Sequence, residues 1–299
     1  MGKAFPGGGG SSRSFPEPPA AVAAASSWTV AKEWDWAAES SHTFSDNTAQ
    51  SFQSVAFTPR NVGDSSSFAV DDSGLKIAAT GSQAGGQWYS TIQTGPALMA
   101  PISSIVDSFS LKDTICVQAL VDTTVVSTGG TLSEQYPDVA LLLGDGGYGG
   151  SGGGNWVKIS AYRQLSTSDH IVYARYGGGA ATGAGNNTAS FTIAGGFPTF
   201  LELVFYPGTG WSSAASRDSE FQDPLSVTSG RYYSNMQTTL PKDIGPGGGN
   251  TAPGANPDFT LRPSNLNLGL SFTLTQTGSD ASSNANAVFK KLRVLKRNY

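Results

Sequence analysis

From Trp28 onward, short runs of β-branched, aromatic and aliphatic residues alternate with clusters of Gly, Asn, Asp, Ser and Pro, the pattern of strands separated by turns. The runs predict strands near Thr29–Trp36, Ser51–Thr58, Ser67–Val70, Leu75–Ala79, Trp88–Gln93, Thr114–Val121, Asp138–Gly144, Asn155–Gln164, Ile171–Tyr176, Thr188–Ile193, Thr199–Tyr206, Leu266–Gln276 and Val288–Leu295. One stretch reads differently. Pro101, at a position suited to a first helical turn, precedes Ile102, Ile105, Val106 and Phe109 at helical spacing, which predicts a short helix over Pro101–Phe109.

No strand alternates with a long helix, so parallel α/β folds are disfavoured. The strands outnumber what one open sheet usually holds, and two sheets packed face to face accommodate them. The expected fold is all-β: an antiparallel two-sheet jelly-roll sandwich with an extended N-terminal arm. Leu141-Leu142-Leu143 does not alternate and Leu201-Glu202-Leu203-Val204-Phe205 alternates imperfectly, which suits central strands buried on both faces.

Residues 1–27 lack apolar periodicity: a Gly/Ser-rich start, an extended Phe15-Pro16-Glu17-Pro18-Pro19 and a bland Ala-rich end. They are expected to form an attachment arm, and residues 28–299 a sandwich with long loops at 144–154 and 207–263. Phe5 and Phe15 each precede a proline, which makes them stiff aromatic anchors for a partner's surface. Such an arm predicts attachment to other proteins of an assembly and self-association, with a trimer as the first guess.

Charged residues are only 13% of the chain, so Ser, Thr, Asn, Gln and Gly must cover the surface. The net charge of −4 argues against a nucleic-acid partner. The run Phe289–Arg297 carries Lys290, Lys291, Arg293, Lys296 and Arg297, but apolar residues interleave as in a terminal strand with one wet face. The single Cys116 excludes an internal disulfide and reads as a small buried hydrophobe. Without a leader or a membrane-spanning apolar run, the chain is expected to be made in a cytoplasm and released with a particle.

Candidate chemistry is sparse. The alternating E-x-D-x-E signature of jelly-roll glucanases does not occur; Glu33, Asp35, Asp71, Asp72 and Glu202 are the nearest acidic positions, with Glu33 and Asp35 read as edge charges. His42 and His170 have neither a Gly-x-Ser-x-Gly elbow nor a second ligand at metal spacing. The Gly144–Gly150 stretch lacks the lysine and helix of a phosphate loop, and Asp64, Asp71, Asp72, Asp145 and Asp169 follow no calcium-loop pattern. No catalytic residue, metal or cofactor is therefore expected. Recognition by loop residues remains: Asp145, Tyr148, Trp211, Arg231, Tyr232 and Tyr233 supply aromatic faces and polar groups of the kind that grip sugar rings.

At Trp28-Thr29-Val30-Ala31-Lys32-Glu33-Trp34-Asp35-Trp36, at Ser73-Gly74-Leu75-Lys76-Ile77 and at Phe289-Lys290-Lys291-Leu292-Arg293-Val294, the chain resembles concanavalin A-like (laminin-G-like) jelly-roll domains, which recur in surface proteins of bacteriophages. The resemblance covers residues 28–299 and implies a twisted antiparallel sandwich closed by a short hydrophobic strand. It further implies a non-enzymatic virion subunit of a fibre, tail tip or head decoration, attached by the arm. A host-glycan-binding receptor and, third, a glycan depolymerase are the alternatives.

Overall fold

The computed structural model describes residues 27–45, 47–60, 66–80, 97–109, 113–122, 135–144, 156–163, 170–177, 186–193, 199–206, 210–225, 232–234, 266–276 and 284–298. With strands numbered in chain order, the first sheet runs β15 (Tyr232–Ser234), β14 (Gly210–Ser216), β13 (Phe200–Tyr206), β8 (Asp113–Asp122), β17 (Asn284–Asn298), β6 (Gly74–Thr80), β5 (Ser66–Asp71), β2 (His42–Phe44). A ninth strand, β1 (Thr29–Asp35), flanks the second half of β17. The second sheet holds eight strands in the order β12 (Asn186–Ile193), β11 (His170–Gly177), β10 (Trp156–Arg163), β9 (Gln135–Gly144), β16 (Asn267–Gln276), β7 (Ala97–Pro101), β4 (Val55–Arg60), β3 (Gln50–Phe52). Neighbouring strands pair antiparallel, and the fold is the expected jelly-roll sandwich.

The core lies between the sheets because alternate residues of the central strands point there. Leu201, Leu203 and Phe205 of β13 join Ile115, Val117 and Ala119 of β8 and Leu268, Leu270 and Phe272 of β16 in one buried cluster. In β17 a bulge between Phe289 and Lys291 inserts one extra residue, which lets Phe289 and Leu292 both face inward although three positions apart. At one end of the core Trp34 and Trp36 stack with ring centroids 5.7 Å apart, and Phe57 meets both edge-on. Each such side chain contributes roughly 1.5–3 kcal/mol by leaving water.

Two turns decide registers. Gln53 and Ser54 both have positive φ (49° and 65°) in the two-residue link of β3 to β4, the backbone a tight hairpin requires, so the run expected as one strand over Ser51–Thr58 folds back on itself. Between β5 and β6, the Asp71 carboxylate accepts hydrogen bonds from the Ser73 hydroxyl and, at 2.8 Å, from the Ser73 N–H. These bonds hold the Asp71 carboxyl below its usual range. Gly74 follows at φ 130°, where a Cβ would stand 2.6 Å from the Phe289 carbonyl of β17.

Several expectations change. Pro101–Phe109 is not a helix: Pro101 ends β7, and a single 3-10 turn, Ile102–Ser104, follows. Its first N–H donates to the Leu266 carbonyl at 2.8 Å, and Ile102, Ile105 and Val106 plug the core, so the helical spacing marks one turn rather than two. The stretch 207–263 contains β14 and β15 instead of being loop throughout. The C-terminal strand is neither short nor terminal in its sheet, since β8 lines one side of it and β6 and β1 the other. Leu141, Leu142, Leu143 and Cys116 are fully buried, as expected. The strand expected near Trp88–Gln93 and the arm, with Phe5 and Phe15, lie outside the described residues.

Candidate functional site

The residues of β8, β13 and β17 that turn away from the core form the outer face of the nine-stranded sheet, and one cross-strand row on it is polar. Register sets Gln118 of β8 directly between Glu202 of β13 and Arg293 of β17. The row continues to Ala214 of β14, itself opposite Tyr233 of β15, and at the other end to Glu33 of β1. Its neighbour two residues along, Val204, Cys116 and Leu295, is apolar and buried.

The three polar side chains are joined. The Gln118 amide donates from Nε2 to Glu202 Oε2 at 2.6 Å, while its Oε1 accepts from Arg293 Nη2 at 2.6 Å and Nε at 3.2 Å. The Cys116 thiol points at Glu202 Oε2 from 3.7 Å. Gln118 is 0% and Glu202 1% exposed, so these groups have given up water and depend on partners inside the protein.

The remaining partners come from the segment after β14. Residues 217–225 cross the outer face as a strap without regular secondary structure. The Gln222 carbonyl accepts from Gln118 Nε2 at 2.9 Å and from Arg293 Nη2 at 2.7 Å, and the Leu225 N–H donates to Glu202 Oε1 at 3.3 Å. The Phe221 ring lies 4.5 Å from the Arg293 guanidinium, and Leu225 packs on Cys116, Val204 and Leu295. Beyond the strap, Trp28 faces Arg297 at 4.8 Å.

The basic run of β17 is distributed by the sheet rather than gathered into a patch. Lys290 pairs with Asp122 at 3.2 Å, Lys291 with Asp35 at 3.2 Å and Lys296 with Asp113 at 3.4 Å, while Arg293 and Arg297 engage the row and Trp28. A separate pocket of about 560 Å³ opens between the start of β1 and Ile105–Asp107. The ammonium on its wall, Lys296, is occupied by Asp113 and by the carbonyls of Asp107 and Ser108.

Of the residues expected to contact a glycan, Trp211 is placed elsewhere: it stands in β14, 3% exposed within the core cluster, because Trp211 and Ala215 occupy the inward positions of that strand. Its ring fills space between the sheets, which corrects the reading of it as a loop residue. Tyr232 and Tyr233 form β15 opposite Ala215 and Ala214; Asp145, Tyr148 and Arg231 lie outside the described residues. Glu33 is exposed and Asp35 half-buried at the sheet margin, as expected of edge charges. His42 packs against Phe44 and Phe52. Among the described residues, no group of His, Cys, Asp and Glu is placed to hold a metal ion, and no helix is long and apolar enough to cross a membrane.

No family model and no curated protein matches the chain. Among solved structures it is similar to a family 7 alginate lyase in complex with substrate, at 14% identity and TM-score 0.42, over 78% of this chain and 82% of that one. It is also similar to an endo-1,3-beta-glucanase from Streptomyces sioyaensis, at 14% identity and TM-score 0.45, over 96% and 100% of the two chains. Both are enzymes that act on carbohydrate, and this finding corrects the expectation of a non-enzymatic particle subunit. Likeness at this level assigns neither a reaction nor a substrate, which must be read from the residues of this chain.

Proposed function

We propose that the protein depolymerises an anionic polysaccharide on the outer face of its nine-stranded sheet, with Glu202, Gln118 and Arg293 at the reacting centre. The observation that carries the reading is a cation held beside a carboxylate without pairing to it. Among the described residues, the acceptors of Arg293 are neutral, Gln118 Oε1 and the Gln222 carbonyl. An acidic sugar that brings its carboxylate to Arg293 and to the Gln118 amide replaces a neutral acceptor by a charged one, the stronger bond. A neighbouring aromatic ring outside the segment that covers the row, Trp28, offers a flat face to a sugar ring.

The same arrangement supplies a reaction. A sugar carboxylate neutralised by Arg293 and Gln118 makes the adjacent C–H acidic, and Glu202 is the base within the row that can take the proton. The C–H electron pair becomes a carbon–carbon double bond, the glycosidic C–O bond on the next carbon breaks, and the departing oxygen acquires a proton. Nothing else is consumed. Hydrolysis by facing carboxylates suits the row less well: its other carboxylate, Glu33, is three strand spacings from Glu202, roughly 14 Å, against the ~5–9.5 Å of such pairs.

The test offers the purified chain a polyuronate and a neutral β-glucan. Shortening of the polyuronate with appearance of ultraviolet-absorbing unsaturated ends is the expected result, and Glu202→Gln should abolish it. Release of saturated reducing ends from the glucan, or no action on either polymer, would overturn the proposal. Self-association through residues 1–27 is part of the same proposal as a separate expectation, tested by sedimentation of the full chain against residues 28–299.

A further inference from the structure

We infer that the strap, residues 217–225, is an intramolecular stand-in for the ligand and gates the polar row. The inference rests on the proposed function for what the gate admits, but not for its existence. The strap answers the row with its backbone: one carbonyl, Gln222, accepts from Gln118 and Arg293, and one N–H, Leu225, donates to Glu202 Oε1. An acceptor and a donor at those two places are what a sugar's carboxylate and hydroxyl would present. A permanent cover would be expected to lock itself down with its own side chains, yet Arg217, Ser219 and Glu220 are exposed. Its fixed end is Asp218, whose carboxylate accepts from Ser216 Oγ at 2.6 Å and whose carbonyl accepts from Thr199 Oγ1 at 2.7 Å.

The far end is strained. Leu225 sits at φ 61°, a left-handed conformation that side chains disfavour, and is held there by its contacts with Cys116, Val204 and Leu295. The closed strap thus rests on a stacked Phe221, one half-buried Leu225 and three hydrogen bonds to its backbone, with backbone strain working against it. Opening about Asp218 releases all of them together and leaves β13, β8 and β17 intact, since their ladders do not involve the strap.

Cys116, the only cysteine, lies fully buried beneath Leu225 and reports the opening directly. Alkylation by iodoacetamide is followed in the folded protein at rising sub-denaturing urea, for the wild type and for Phe221→Ala/Leu225→Ala. The expected results are a wild-type rate nearly independent of urea, and roughly tenfold or faster labelling in the variant with a similar thermal midpoint. Turnover of polyuronate should rise in the variant in parallel. A wild-type rate that climbs with urea as steeply as global unfolding, with no acceleration in the variant, would overturn the inference. Accelerated labelling with unchanged turnover in an active protein would overturn the gating role. Accelerated labelling in protein that is inactive in every form would sink the proposed function while leaving the moving strap established.

Discussion

Across β13, β8 and β17 the outer face of the nine-stranded sheet carries Glu202, Gln118 and Arg293 in one row, whereas across β7, β16 and β9 the eight-stranded sheet carries Met99, Gly269 and Leu142. Both rows lie on the backs of central strands whose inner faces are uniformly apolar. The second is packed tight: a Cβ on Gly269 would come within 2.4 Å of Leu142 Cδ1 and 2.6 Å of Met99 Sδ. The first trades packing for hydrogen bonds, and its polar groups would each be costly to bury if the strap did not answer them. An apolar row with no room for a methyl group supports a sheet, whereas a polar row answered by a detachable segment can also serve a ligand.

The largest effect that sharpens this contrast is expected at Glu202. Glu202→Gln keeps the shape of the side chain and its bond to Gln118, but removes the base. Depolymerisation should fall by roughly 10²–10⁴-fold, the usual worth of such a group, with the thermal midpoint shifted by no more than a few degrees. Loss of cooperative melting in this variant would instead make the row a structural device like its apolar counterpart.

Why the row was not legible in the sequence follows from the distances along the chain. Gln118 and Glu202 are 84 residues apart and Gln118 and Arg293 are 175, so only the register of three strands brings them together. Each residue was visible singly: Glu202 as an isolated acid, Arg293 inside a basic run, Gln118 inside an apolar strand. The strands themselves were legible where β-branched and aromatic residues dominate, as in β8, β13 and β16. Strand β14, with sequence GWSSAAS, was missed because Ser and Ala carry little strand preference, and its one large residue, Trp211, then looked like a loop aromatic. The β3–β4 turn was missed because Gln53 and Ser54 take left-handed backbone where Asn or Gly would have announced it.

On the apolar side, Leu142→Ala removes a fully buried side chain from its cluster with Met99 and Ala97 and should cost about 2–5 kcal/mol of stability. Activity per folded molecule should stay unchanged, as read by urea denaturation alongside initial rates. Gly269→Ala on the same row should cost about 1–3 kcal/mol by overpacking Leu142 and Met99. Recovery of that loss in Gly269→Ala/Met99→Ala, where the sulfur no longer stands in the way, would pin the cost to the clash.

The smallest effect is expected at the rim of the polar face. One row from Gln118, Lys291 faces Asp35 across β17 and β1, an ion pair at 3.2 Å between charges of opposite sign on central and flanking strands. In sequence terms it resembles the Glu202–Gln118–Arg293 row, since both link strands distant in the chain through polar side chains. The difference is water: the Lys291 and Asp35 side chains keep 36% and 44% of their exposure, so solvent screens the pair and offers each charge a substitute partner. Lys291→Ala should therefore change stability by less than about 1 kcal/mol, and high salt should erase even that. Chemical denaturation with urea, which is uncharged, at low and high sodium chloride measures both quantities. A loss of several kcal/mol that persists in salt would mean that the rim pair is desolvated like the buried row, and that the distinction drawn between the covered centre of this face and its margin does not hold.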